Sequence, residues 1–368
     1  MEPSPTKLRL AAIREGLASQ EAEALLLAGP ENRRYLSGFT AGDSDAGVLF
    51  VTQERAWLLT DFRYQLWAAQ EVTDFEVVVY KEGPSATLVD LLRNQPVRRL
   101  GFEAAYLTYR QYQRLSQAVA EAGLKVDWQP LEGLAEGLRE VKTAAELAAI
   151  RRALELSEAV LQGIARELTP GQTERQVAWE IEKRLREAGA QGLAFPPIVA
   201  VGPNSAMPHH QPGDYPLKPG EPIIIDMGAR LDGYCADITR TYILGPPDDQ
   251  FRKIYRLVRQ AQKEAEKGLK AGMDSLAADA LARQVIAAAG YGEAFGHSLG
   301  HGVGLAVHEA PSLSPFKERS TILKADSVVT VEPGIYLTGW GGVRLENMAL
   351  LHPDGAEVLN RFLEFYEW

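Results

Sequence analysis

The chain has 368 residues, 46% of them hydrophobic and 24% charged, which excludes a disordered protein and suits two domains better than one. Lys and Arg total 39 against 49 Asp and Glu, a formal net charge of -10, so without a basic run the chain is a poor partner for nucleic acid. The single cysteine, Cys235, allows neither an internal disulfide nor a thiolate metal cage and fits a reducing compartment. No apolar run approaches the ~20 residues that a membrane span needs, and Met1-Glu2-Pro3-Ser4-Pro5 lacks the basic-then-apolar order of a signal peptide. A soluble, cytoplasmic protein is expected.

Strands are expected at 24–27 and 47–51, the latter pairing with 57–60 across the turn 52–55. A helical pattern covers 61–70. A β-branched run follows at 75–80, then short strands at 100–102 and 126–128 with helical composition between them at 108–121. Strands alternating with helices indicate an α/β or α+β unit, assigned to residues 1–138. It holds no catalytic constellation, and 38–43 lacks the G-x-G-x-x-G spacing of a dinucleotide fingerprint.

The pattern changes near residue 140, and 139–368 reads as a second, α+β domain. Thr143-Ala-Ala-Glu146 is a capping box, followed at helical spacing by Leu147, Ile150, Leu154, Leu161, Ile164 and Leu168. Pro170-Gly171 ends that helix. Thr173-Glu-Arg-Gln176 opens another, with Val177, Ile181 and Leu185 on one face. Two more helices are expected at 250–269 and 275–289, and strands at 223–225, 234–244, 328–331 and 342–351. The order allows two similar helix-helix-strand halves.

Five of the six histidines fall in two groups, His209 and His210, then His297, His301 and His308. The run Gly296-His297-Ser-Leu-Gly300-His301-Gly302-Val-Gly304 is too glycine-rich for a helix and lets backbone approach a bound group closely. Asp226 ends the apolar strand Ile223-Ile-Ile225, where a charge is costly unless paired or metal-bound. Asp232-Gly233 is a hairpin signal that folds 234–244 back and sets Asp237 close to opposite Asp226, where two carboxylates repel unless a cation lies between them. Glu332 ends Val328-Val-Thr-Val331, and Glu346 sits in Gly342-Val-Arg-Leu-Glu346. Four strand-borne acids and a glycine-framed histidine suit a pair of divalent ions such as Mn, Co or Zn.

Six stretches carry a family likeness: Ile224-Ile-Asp226-Met-Gly-Ala229, Gly233-Tyr-Cys-Ala-Asp237-Ile-Thr-Arg-Thr241, Gly300-His301-Gly302-Val-Gly304, Ala306-Val307-His308-Glu309, Thr330-Val-Glu332-Pro-Gly334 and Gly342-Val-Arg344-Leu-Glu346. They resemble the metallopeptidase family of the pita-bread, creatinase/aminopeptidase fold, and within it the Xaa-Pro peptidases, prolidase and aminopeptidase P. The likeness covers about 140–368, and the smaller α/β domain in front also resembles theirs. It implies five ligands for two divalent ions per subunit. Asp226 would hold one ion only, Asp237 and Glu346 would bridge both, and His301 and Glu332 would complete the ligands of the second ion. Glu332 would also act as general base. His308 and His209 would steady the substrate carbonyl, His297 would line the leaving-group side, and Arg344 would pair with a carboxylate. His210 matches no family role. Asn347 stands where many relatives have Asp, and Ser298 where glycine is common.

The implied reaction is hydrolysis of the bond between an N-terminal residue and a following proline. Acidified water supplies the nucleophile, the developing oxyanion is stabilised electrostatically, and Glu332 handles the proton. Trp340 or Tyr336 can wall the proline ring. Two readings from other classes remain. Gly296-His-Ser298-Leu-Gly300 spells the G-x-S-x-G of serine hydrolases, with Asp326 and His352 following in order. A chain of this fold can also be a binding module without catalysis. Within the family a prolidase-like dipeptidase is favoured over an aminopeptidase P acting on longer peptides, with Lys317 and Arg319 as candidates to hold a C-terminal carboxylate. The likeness implies a homodimer acting on proline-containing peptides, with no nucleic acid and no membrane.

Overall fold

Short apolar runs in the first third of the chain build one six-stranded sheet in the computed structural model, which describes residues 4–362 and 365–366. Its strands are β1 (Ala24–Leu27), β2 (Val48–Thr52), β3 (Ala56–Thr60), β4 (Glu76–Val79), β5 (Arg99–Glu103) and β6 (Asp127–Leu131), in the order β4-β3-β2-β1-β5-β6. The β2–β3 hairpin is antiparallel and closes at 52–55, where Thr52 N–H donates to Arg55 O at 2.9 Å. β1 pairs antiparallel with β2 and parallel with β5. Leu26, Phe50, Trp57, Leu59, Leu88 and Leu100 fill the core of this unit, which spans Met1–Arg139. The helical run read at 61–70 is a 3-10 turn, Phe62–Tyr64, leading into a helix, Gln65–Glu71. Three helices absent from the sequence reading, Pro5–Ser19, Pro30–Ser37 and Pro84–Asn94, each begin on a proline. Proline reads as a loop signal, yet it is tolerated at the first helical position, where its missing N–H would be unpaired anyway.

The second unit, Glu140–Trp368, is built from two helix pairs, each laid on a sheet. Helices α1 (Ala144–Glu167) and α2 (Glu174–Glu187) both start on complete capping boxes, at Thr143 and Thr173. Leu161, Ile164, Ile181 and Leu185 on these helices pack on Ile223, Ile225 and Ile238. The strands beneath are β7 (Ile198–Val201), β8 (Pro222–Met227) and β9 (Ile238–Ile243), antiparallel in the order β9-β8-β7. Helices α3 (Asp249–Gly268) and α4 (Ser275–Ala288) cover a second core that contains Val329, Val331, Ile335, Val343 and Ala349. Five strands form its sheet, β10 (Gly300–Gly302), β11 (Glu309–Leu313), β12 (Val328–Val331), β15 (Asn347–His352) and β16 (Gly355–Val358), in the order β11-β10-β12-β15-β16. A hairpin of β13 (Gly334–Leu337) and β14 (Gly341–Arg344) stands beside it. Among the described residues no helix is long and apolar enough to cross a membrane.

Two expected strands prove to be broken, and both breaks fall at a site acid. Residues 234–244 divide into Tyr234–Cys235, paired with Ala229–Leu231, and β9. Between them the backbones cross so closely that a Cβ on Gly228 would lie 1.8 Å from Ala236 O. Asp237 occupies this crossing, and the residue opposite Asp226 is Thr239. Residues 342–351 divide at Leu345-Glu346, because β14 pairs with β13 whereas β15 pairs with β12.

Candidate active site

The four acids and one imidazole singled out in the sequence come from five different places and meet between the two helix-backed sheets. Asp226 is the penultimate residue of β8, Asp237 precedes β9, His301 is the centre of β10, Glu332 follows β12, and Glu346 lies between β14 and β15. Asp237, His301 and Glu346 each place a ligand-capable atom within 4.8 Å of the others'. His301 Nε2 stands 3.3 Å from Glu332 Oε1 and 3.6 Å from Asp237 Oδ2. Asp226 Oδ2 accepts from Arg344 Nη2 at 2.6 Å. The Thr239 hydroxyl donates to Glu346 Oε2 at 2.7 Å and accepts from Arg344 Nε at 3.2 Å.

Each of three carboxylates keeps one oxygen bare. Among the described residues, Asp226 Oδ1, Asp237 Oδ1 and Glu346 Oε1 are buried with no hydrogen-bond partner. Such atoms are costly in a protein interior. Burial, reinforced by the neighbouring acids, pushes the Asp237 and Glu346 carboxyls well above the ordinary carboxylate range. Burial also raises Asp226, against the pull of Arg344. Glu332 runs the other way. Burial lifts it, but the His301 hydrogen bond and the charges of His301, His297 and Arg344 outweigh that and hold it down at about 2. Burial likewise depresses His301, and Glu332 more than compensates, so its pKa is raised. Bare oxygens beside one imidazole are the donor set of a divalent cation, whose charge would reverse these upward carboxyl shifts.

The other sequence-derived residues line this cluster. The His301 and His308 rings lie 4.2 Å apart between centroids. Burial, then His301 and His209, lower the pKa of His308. His209 is exposed on the turn that follows the 3-10 segment Gly202–Ala206. His297 is closed at both nitrogens, Nδ1 against Ser298 O at 2.8 Å and Nε2 against the Tyr336 hydroxyl at 2.9 Å. Arg344 Nη1 donates to that same hydroxyl at 2.9 Å. Arginine has no acceptor, so the Tyr336 O–H is directed at His297 Nε2 and the imidazole carries its proton on Nδ1. Burial lowers the His297 pKa, which favours this neutral form.

Of the two aromatics expected to wall the proline ring, Tyr336 links Arg344 to His297 through its hydroxyl, and Trp340 is partly buried against the core under α3 and α4. Thr239 escaped the sequence reading, although alternation along β9 puts Thr239 and Thr241 on one side. Lys317 is exposed on the 3-10 turn Lys317–Arg319, and the Arg319 side chain lies outside the described residues. Ser298 follows a 3-10 turn, Gly292–Ala294, and leads into β10, the reverse of the strand-to-helix order of a nucleophile elbow. His352, the last residue of β15, sits 3.8 Å from Glu357.

Residues 148–353 match the model of metallopeptidase family M24, and residues 9–141 match that of the Creatinase/Prolidase N-terminal domain. The Xaa-Pro dipeptidase of Pyrococcus furiosus is 34% identical over 356 residues, covering 96% of this chain and 98% of the relative. The solved Xaa-Pro dipeptidase from Bacillus anthracis superimposes with a TM-score of 0.92 at 35% identity, covering 98% of this chain and 99% of the other. The X-Pro aminopeptidase from Thermotoga maritima gives a TM-score of 0.82 at 36% identity, covering 92% and 95%.

Proposed function

This chain belongs to metallopeptidase family M24, and on that premise we propose that it is a metal-dependent Xaa-Pro dipeptidase of the prolidase type. It hydrolyses the bond between an N-terminal residue and a following proline. The observation that carries the reading is the convergence of Asp237, Glu346 and the His301 imidazole, whose ligand-capable atoms lie within 4.8 Å of one another, beside buried carboxylate oxygens that have no partner among the described residues. Asp226, Asp237, His301, Glu332 and Glu346 would hold two divalent ions of the Mn, Co or Zn kind. When bound, such ions acidify a water and polarise the scissile carbonyl.

The chain's own groups do the rest. Glu332, ionised at neutral pH, takes a proton from the attacking water and returns it to the leaving nitrogen. His308 and His209 steady the carbonyl oxygen, and His297 lines the leaving-group side. Arg344 holds Asp226 in place. The scissile nitrogen belongs to proline's own ring and carries no N–H, so specificity rests on the ring and not on a donated hydrogen bond.

The same geometry serves an aminopeptidase P, a second reading favoured by the likeness to the Thermotoga maritima enzyme. Rates on Xaa-Pro and Xaa-Pro-Yaa, with Mn, Co or Zn added back to chelated protein, decide between them. Faster cleavage of the dipeptide is expected, and equal or faster cleavage of the tripeptide overturns the dipeptidase reading. Inertness toward both with every metal overturns the peptidase reading in favour of a binding module. Activity that survives chelation but is lost to a serine-directed phosphonate reinstates Ser298.

We also propose that the two compact units are separate domains and that the protein is a cytoplasmic homodimer. The single buried Cys235 supports a reducing compartment. Phe62, 82% exposed, Leu66, 78%, and Trp67, 43%, give the first unit an apolar surface suited to a second copy. Light scattering that returns the 40.4 kDa of one chain contradicts the dimer.

A further inference from the structure

His210 has no part in the reaction above, yet it is tied to one of the most deeply buried acids of the second unit. Its Nε2 lies 2.8 Å from Glu174 Oε2, and because an ionised carboxylate only accepts, that nitrogen is the donor. Glu174 is the first residue of α2 and its side chain is 0% exposed. Both of its oxygens are saturated. Oε1 accepts from Val201 N–H at 2.9 Å and Asn204 Nδ2 at 3.0 Å, and Oε2 accepts from His210 and from Gly213 N–H at 3.0 Å. The four donors come from both ends and the middle of one segment, 201–213, which leaves β7. Main-chain bonds from Arg175 N–H to Gly213 O, 2.9 Å, and from Glu174 N–H to Tyr215 O, 3.1 Å, fix its far end to the same helix start.

The apex of this segment carries His209. The turn there closes through His210 N–H to Met207 O at 3.1 Å. On one side of His209 the Pro208 carbonyl accepts from Arg344 Nη1 at 3.4 Å, the arginine that also grips Asp226. On the other side the His210 ring is held by Glu174. His209 is thus tethered through both chain neighbours while its own ring stays exposed near His308.

We propose that Glu174, acting through His210, is a positioning residue that sets the place of the His209 imidazole. The inference rests on the reading of His209 as a group that steadies the substrate carbonyl. Glu174 touches neither substrate nor cation; it works at a distance by fixing the turn.

The test uses the full chain with Glu174→Gln and His210→Ala, each made in the wild type and in a His209→Ala background. Glutamine keeps the shape of Glu174, but its amide nitrogen cannot accept from His210 and Gly213. Each variant is expected to lower kcat/KM on Xaa-Pro by about tenfold, mainly through kcat, and the loss is expected to vanish once His209 is alanine. In the metal-free protein, the single narrow NMR resonances expected of the His209 ring should broaden or split in both variants. Equal losses in the two backgrounds, or an unmoved His209 signal, overturn the proposal and leave Glu174 as a stitch that only stabilises the segment. If Glu174→Gln fails to fold, His210→Ala carries the test, since its ring lies at the margin of the site, 14% exposed. A wild-type enzyme inert toward Xaa-Pro overturns the functional reading alone, and the ring signal still decides the positioning.

Discussion

Asp237 is ill at ease without a cation. It is 4% exposed, its Oδ1 has no partner among the described residues, and burial beside Glu346 and Asp226 drives its carboxyl well upward. Asp237→Asn is therefore expected to act in opposite directions on two measurements. Metal content, read by elemental analysis, should fall sharply because a ligand is gone. The thermal midpoint of the chelated protein should rise, with a gain of about 1 kcal/mol from removing an acid from among acids. A chelated variant that melts below the wild type contradicts this account. At this scale the sequence was partly legible. Asp226 and Glu332 stand out because each puts a charge at the end of an apolar run. Tyr336 and Glu174 do not, since their partners lie 39 and 36 residues away in sequence, and neither interrupts a local pattern.

Along the elements, the strand breaks position the chemistry. An unbroken strand through Asp237 alternates its side chains from one face to the other, and a one-residue slip would turn the acid away. The crossing at Gly228 and Ala236 sets the offset instead, and glycine is required because Ala236 O occupies the place of a side chain. Gly228→Ala is expected to destabilise the fold by about 2 kcal/mol or more and to weaken metal binding even in the fraction that folds. Parallel denaturation and metal-titration curves test both effects; unchanged affinity in folded protein contradicts the second. The sequence concealed these breaks because 234–244 and 342–351 are uniformly strand-like in composition, so only the identity of the pairing partner, a long-range fact, tells where one strand ends. The capping boxes at Thr143 and Thr173, by contrast, are local, and both were read correctly.

In the whole molecule the site couples metal binding to pH. The carboxyls of Asp226, Asp237 and Glu346 are raised on folding. The folded chain therefore binds more protons than the unfolded one from about pH 4 up to those raised values. Across that window the chelated protein loses stability as pH rises. Glu332 acts oppositely, since its contribution is present above about pH 4.5 and is lost as pH falls toward 2. Protons and cations compete for the same oxygens, so the gain in thermal midpoint on adding Mn should grow from pH 5 to pH 8. A flat or shrinking gain argues against shared occupancy.

The scatter of the ligands along the chain also fixes when in the life of the protein a cation arrives. Contacts between positions as far apart as 226, 301 and 346 close long loops and are slow to form. No early, local structure holds enough oxygens to capture an ion, so the metal is a late guest and not a nucleus. Refolding from denaturant should proceed at one rate with or without Mn, with uptake as a separate, later phase. A refolding rate that climbs with metal concentration would mean that the centre organises the chain instead of being organised by it.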